Sequence, residues 1–207
     1  QSPATFKSLM SCVSSNQENF DYLIRLMRRN VVIPFIGAGI SANFGYPTWA
    51  NFLKNQADVH HLQEVRTAQK KHEYEKAATL LDDHLLGNME YVLMQSFDDH
   101  IYKAKSNIEE LDLLPKVFRN LILTTNFDEV IELLYAKVNG EHIDKLTPRT
   151  LGDVTLAHKR IACGEPTLIK LHGDIASREF VLTEQAYNKV YGKHMLDVRL
   201  PLPSFLR

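Results

Sequence analysis

The stretch Val31-Val32-Ile33-Pro34-Phe35-Ile36-Gly37-Ala38-Gly39-Ile40-Ser41 constrains the fold more than any other part of the chain. Val31, Val32 and Ile33 open an apolar, β-branched run that reads as a buried strand. Pro34 has no N–H to give a ladder and moves that strand towards a sheet edge or an irregular form. Gly37 and Gly39 end it, and a helical pattern follows Tyr46-Pro47-Thr48-Trp49. A strand, a glycine turn and a helix N-terminus in succession let backbone N–H groups approach a phosphate. A Cβ at either glycine would obstruct that approach or the dihedral angles of the turn. Ordinary strand ends carry glycines too, so the downstream sequence decides.

Two further strands end in comparable turns. Leu121-Ile-Leu-Thr-Thr125 runs into Asn126-Phe127-Asp128, and Thr167-Leu-Ile-Lys-Leu171 runs into His172-Gly173-Asp174. Between and around them the pattern is helical. An apolar stripe of Phe20, Leu23, Ile24, Leu26 and Met27 predicts a helix within 5–29, with Arg25, Arg28 and Arg29 complementing its C-terminal dipole. Helices are also predicted over 49–57, 129–138 and 184–190, the last capped by Thr183. Residues 60–113 are helical and strongly polar, broken at Gly87-Asn88, and predict a helical insertion or small lobe. His60, His61, His72, His84 and His100 fall in that block without H-E-x-x-H spacing, which reads as surface or packing histidines. Short strands are expected to end at Leu146-Thr147-Pro148 and to cover Glu179–Thr183. The resulting expectation is an α/β fold: 31–59 and 116–207 as core, 1–30 as an N-terminal helical segment and 60–115 as the insertion, within one domain of 207 residues.

Composition excludes several classes. A net charge of −1 argues against a dominant nucleic-acid or anionic-membrane surface. No apolar run approaches the roughly 18 residues of a membrane span. Cys12 and Cys163 are isolated, so neither a disulfide framework nor a cysteine-built zinc site is expected, and a reducing cytoplasm is the default compartment. No G-x-x-x-x-G-K-[ST] is present. No acidic residue ends a second strand about 20 residues after the glycines, as a dehydrogenase would need. The start at Gln1 and the apolar close Pro201-Leu-Pro-Ser-Phe-Leu-Arg207 read as a piece of a longer protein.

In open α/β sheets ligands bind at the carboxyl ends of strands. The three turns are therefore expected to share one crevice. Singly, each has a plain structural reading as well: Asn126 or Asp128 as a helix cap, Gly173 as a turn residue, His172 as a core histidine. In order and context, however, Gly37-Ala-Gly-Ile-Ser41, Thr124-Thr-Asn-Phe-Asp128 and Leu171-His-Gly-Asp-Ile175 resemble the Sir2 (sirtuin) family, in particular the Sir2-like domains of bacterial antiphage defence proteins.

The resemblance runs from about Val31 to Tyr191 and implies a Rossmann-like fold that binds NAD as substrate and cleaves its nicotinamide–ribose bond. It implies Asn126 and His172 as catalytic residues, His172 being the general base, and a NAD site including Gly37, Ala38, Gly39, Ser41, Thr125, Asp128 and Gly173, with no metal. A family strand that helps hold the adenine side is expected after residue 207. The chain departs from the deacetylases: Thr125 stands where they carry glutamine, no four-cysteine zinc module can be built, and no arginine matches theirs near Tyr46–Trp49. These departures favour NAD hydrolysis over protein deacylation or ADP-ribosyl transfer. A non-catalytic nucleotide-binding or assembly module is the third reading. The resemblance further implies a homo-oligomer, with sensor or effector regions elsewhere in the full-length chain or in a partner.

Overall fold

A computed structural model describes residues 6–98, 109–150, 159–160 and 162–191 of the chain. His100 and the segment 201–207 lie outside the described residues, as does part of the predicted insertion. The chain divides into two compact units, Gln1–Ile33 and Pro34–Arg207.

The first unit holds α1 (Phe6–Ser11) and α2 (Asn16–Arg28). The single helix expected over 5–29 is thus two, broken at 12–15, where the Asn16 N–H bonds the Val13 carbonyl. Phe6 and Phe20 meet edge to face at 4.9 Å. Arg25 and Arg28 sit in the last turn of α2, where cations suit the dipole.

The second unit is built on a four-stranded parallel sheet: β1 (Phe35–Ile36), β2 (Leu121–Thr124), β3 (Asp144–Leu146) and β4 (Thr167–Lys170), in the order β1-β2-β4-β3. Helices flank it, which makes it an α/β fold of Rossmann-like type. Every residue of β2 and β4 is buried, as expected of central parallel strands covered on both faces. β1 corrects the expectation of a buried strand. It is a two-residue edge strand with Phe35 61% exposed, and Val31 and Ile33 are also exposed. Pro34 fits there, because its carbonyl accepts from the Leu123 N–H at 3.0 Å while no N–H is required of it.

Among the described residues the connection from β1 to β2 holds helices and no strand: α3 (Gly39–Ala42), α4 (Trp49–Val59), α5 (Gln63–Lys70), α6 (Tyr74–Leu85), α7 (Met89–Phe97), a 3₁₀ turn (Glu109–Asp112) and α8 (Leu113–Val117). Thr48 caps α4 through its hydroxyl, which accepts from the Asn51 N–H. α6 ends where Leu86 and Gly87 turn left-handed. Phe52, Leu53, Leu81 and Leu93 of this block share one core with Phe127, Val130 and Leu134. Each such side chain contributes about 1.5–3 kcal/mol by leaving water, so the helices bind directly onto the segment that follows β2. α9 (Val130–Asn139) also contributes Ile131 and Tyr135 to a second cluster with Ile122 and Leu168. After β4 come a two-stranded antiparallel ribbon, β5 (Gly173–Asp174) with β6 (Glu179–Phe180), and α10 (Glu184–Tyr191). The strand expected at 179–183 therefore pairs outside the main sheet. The Thr183 cap of α10 is present, accepting from the Ala186 N–H at 3.2 Å. Among the described residues no helix is long and apolar enough to cross a membrane.

Candidate functional site

The strand order brings the three turns together. β1, β2 and β4 are neighbours, all parallel, and Ile36, Thr124 and Lys170 are level in register. Gly37, Thr125 and Leu171 consequently leave the same edge side by side. With about 4.8 Å between strands, polar side chains from all three turns can reach one ligand.

A cavity of about 110 Å³ opens at this edge. Pro47, Trp49, Phe97 and Phe127 form its apolar part; Ala38, Thr125, Asn126, Asp128 and His172 complete it. The volume falls below the roughly 300–1,000 Å³ typical of whole-ligand pockets and suits one ring-sized end of a larger molecule. Phe127 is central to the wall, its ring 6.0 Å from Trp49, 5.7 Å from Phe97 and 6.3 Å from His172.

Behind the cavity the polar groups form a chain. Asn126 Nδ2 donates to the Gly37 carbonyl at 3.2 Å and to Ser41 Oγ at 3.0 Å. Ser41 Oγ donates to Asp128 Oδ1 at 2.9 Å, which also accepts the Val130 N–H at 3.1 Å. The Asn126 backbone N–H is taken by Thr124 Oγ1, itself donating to the Ile36 carbonyl. Both hydrogens of the Asn126 amide are committed to protein acceptors, so its side-chain carbonyl is the end available to a ligand. Burial pushes the Asp128 carboxyl above its ordinary range; the Ser41 hydrogen bond and the Lys170 charge offset this only in part. Asp128 lines the cavity and also ties down the start of α9 through the Val130 N–H.

His172 lines the same cavity, and its Nε2 lies 2.8 Å from the Tyr187 hydroxyl of α10. Burial lowers its pKa, countered weakly by the charge of Glu75, so the imidazole is neutral near pH 7.

The remaining expected residues are placed differently. Ser41 is buried behind the wall and acts as a link between Asn126 and Asp128, because a buried hydroxyl needs partners. Gly173, at φ +96°, starts β5, and a Cβ there would lie 1.9 Å from the Glu179 carbonyl oxygen. The tight ribbon alone requires that glycine. Gly37 and Gly39 are the opposite case. A Cβ at either would meet nothing within 4 Å, and neither has a positive φ. The turn's dihedral angles therefore do not call for them, and the space beside each is open.

Below the Asn126 loop lies a charged cluster that reading the chain for motifs missed. Lys170, 0% exposed, donates to the Phe127 and Asp128 carbonyls at 3.2 and 2.7 Å, to Glu132 Oε1 at 2.8 Å and to Asp174 Oδ1 at 3.0 Å. Lys145 lies 2.6 Å from Asp174 Oδ2 and 3.0 Å from Glu129 Oε1. Burial alone would raise the Asp174 carboxyl, but the two ammonium groups together hold it below its usual range. Burial raises Glu132, and Lys170 offsets that only in part. Glu129, Glu132 and Asp174 converge closely enough to hold a metal ion, but the ammonium groups of Lys170 and Lys145 already reach these carboxylates. The sequence signal was present: a lysine inside an otherwise apolar central strand. Trp49, Phe97 and Tyr187 carried no such signal, since aromatics on helices read first as core.

Elsewhere, His60 and His84 pack ring against ring at 5.1 Å and His72 meets the Tyr74 hydroxyl, in keeping with surface or packing roles. Cys12 and Cys163 are free and exposed.

Comparison with curated proteins found no match. A family model does match residues 120–207, the part from β2 onward that carries Asn126, Asp128 and His172. It is described as a SIR2-like domain, and the match supports the Sir2-like resemblance and, in general terms, an NAD-related function for this chain.

Proposed function

We propose that this domain is an NAD hydrolase that cleaves the nicotinamide–ribose bond and releases nicotinamide and ADP-ribose or its cyclic form. The observation that carries the reading is the meeting of Asn126 and His172, from two different strand ends, on one ring-sized cavity. Such a cavity suits the nicotinamide end of the substrate, with the diphosphate outside it on the Gly37–Gly39 side. Breaking the bond between the nicotinamide nitrogen and the ribose carbon develops positive charge on the sugar. Holding the ring and excluding water except at the attacking position lowers that barrier. The Asn126 carbonyl can accept a hydrogen from a ribose hydroxyl or the attacking water and so orient it. A neutral His172 takes the proton as the new C–O bond forms, a contribution of roughly 10²–10⁴-fold for a positioned base.

From its sequence resemblance we further propose that the domain is the effector of a bacterial antiphage defence protein, acting in the cytoplasm as an oligomer and depleting NAD once triggered. Nicotinamide release by the intact protein, with and without phage infection of the host, tests both parts. Asn126→Ala and His172→Ala are each expected to lower release at least 10²-fold. Unchanged turnover in both variants would overturn the assignment of roles. Release that requires an acyl-lysine peptide would show a deacylase instead, and binding without turnover in the triggered protein a non-catalytic module.

A further inference from the structure

His172 has a hydrogen-bonding partner from outside the three turns. Tyr187, on α10, places its hydroxyl 2.8 Å from His172 Nε2. The two rings cross at 72° with centroids 5.5 Å apart, and Phe127 packs on the imidazole at 6.3 Å. With aromatic rings on two sides, the imidazole cannot exchange its nitrogens by a ring flip without disturbing both neighbours.

α10 is itself anchored. The Ala186 N–H bonds Thr183 Oγ1, and the Glu184 N–H bonds Thr79 Oγ1 of α6 at 3.1 Å. One helical turn beyond Tyr187, the Tyr191 hydroxyl donates to the Leu171 carbonyl, immediately before His172. Two tyrosines on one face of α10 thus hold the His172 turn.

A neutral imidazole carries one proton on two nitrogens. If the phenol donated to Nε2, the proton would sit on Nδ1 and no lone pair would remain for a substrate. A His172 that accepts a proton must therefore donate Nε2–H to the Tyr187 oxygen and offer Nδ1. We propose that Tyr187 is the positioning residue that sets this tautomer, with the phenol as acceptor and Nδ1 as the basic nitrogen. In turnover the Nδ1 lone pair takes the proton of the attacking hydroxyl or water, and the Nε2–H bond to Tyr187 steadies the imidazolium that forms. The proton then returns to solvent from Nδ1. The inference rests on the reading of His172 as the base.

Long-range ¹H–¹⁵N correlation of the histidine side chains at about pH 8, where the ring is neutral, tests it on the free protein without any substrate. The expected wild-type spectrum shows His172 protonated on Nε2. Tyr187→Phe keeps the ring packing and removes only the oxygen, and is expected to give a mixture of tautomers. In the NAD assay the same variant should lose about three- to tenfold in kcat, the scale of one hydrogen bond, with KM unchanged. Protonation on Nδ1 in the wild type, or an unaltered tautomer in Tyr187→Phe, overturns the proposal. Absence of NAD turnover in the triggered wild type would instead overturn the proposed function and leave the tautomer result standing on its own.

Discussion

Replacing Lys170 with methionine, which keeps the side chain's length and removes its charge, tests the cluster beneath the site. In the wild type the ammonium has four oxygen partners between 2.7 and 3.2 Å and no exposure to solvent. Its loss leaves Glu132 and Asp174 facing Lys145 alone, 2.6 Å from Asp174 Oδ2 but 3.9 Å from Glu132. Removing one partner of a buried pair costs about 3–5 kcal/mol. Lys145 still serves Asp174. Glu132 Oε2 is buried with no hydrogen-bond partner among the described residues, which makes Glu132 the group left most exposed to the loss.

The pH dependence follows from that group. Its folded pKa already lies above the unfolded value because of burial, and loses its main counterweight with Lys170. A carboxyl raised on folding favours the folded state below its unfolded pKa and loses that contribution as pH rises through the folded value. The Lys170→Met penalty should thus be smaller at about pH 5 than at about pH 8. Urea unfolding followed by circular dichroism at both values measures it. Adding Glu132→Gln should recover about 1 kcal/mol or more, since it removes the orphaned charge. A variant within about 1 kcal/mol of wild type at both pH values, or a penalty that grows on acidification, would refute the reasoning.

The glycines should separate sharply: Gly39→Ala is expected to leave unfolding within about 1 kcal/mol of wild type while weakening NAD binding in a titration, and Gly173→Ala to lose at least about 2 kcal/mol by the same unfolding measurement, because its Cβ has no room beside the Glu179 carbonyl. The acid limb of kcat/KM should fall below the ordinary imidazole value, because burial lowers His172 more than the Glu75 charge raises it; a limb above about 6.5 in a pH–rate profile would contradict this, and Glu75→Gln, which removes the one charge acting on both His172 and Tyr187, should move it lower still.

Part of this architecture could be read from the chain because burial leaves a mark on composition. Leu121–Thr124 and Thr167–Lys170 are central strands, and their nearly unbroken apolar runs mark them. The edge strand misled for the converse reason. Val31, Ile33 and Phe35 look like core but are exposed, and only Pro34 hinted at the edge. The meeting of the turns could be anticipated from the rule that ligands bind at strand C-termini. The strand order that produces it could not, because β3 precedes β4 in the chain yet lies beyond it at the sheet edge. Tyr187 was hidden in a helix whose pattern spoke only of packing.

Lys170 joins the two levels. Motif reading stops at His172 and Asn126, the groups able to act on a ligand, and treats the strand before His172 as scaffold. Yet the residue two before His172 donates to the carbonyls of Phe127 and Asp128, in the loop that carries Asn126. A neutral side chain could not satisfy two carbonyls and two carboxylates at once. A lysine can, provided the carboxylates remain beside it, and Asp174 comes from the same turn as His172. β4 therefore contributes both His172 and, through Lys170 and Asp174, the brace that sets the Asn126 loop opposite it. Shifting β4 by one residue against β2 would displace both together, so the sheet register is what aligns the two halves of the site.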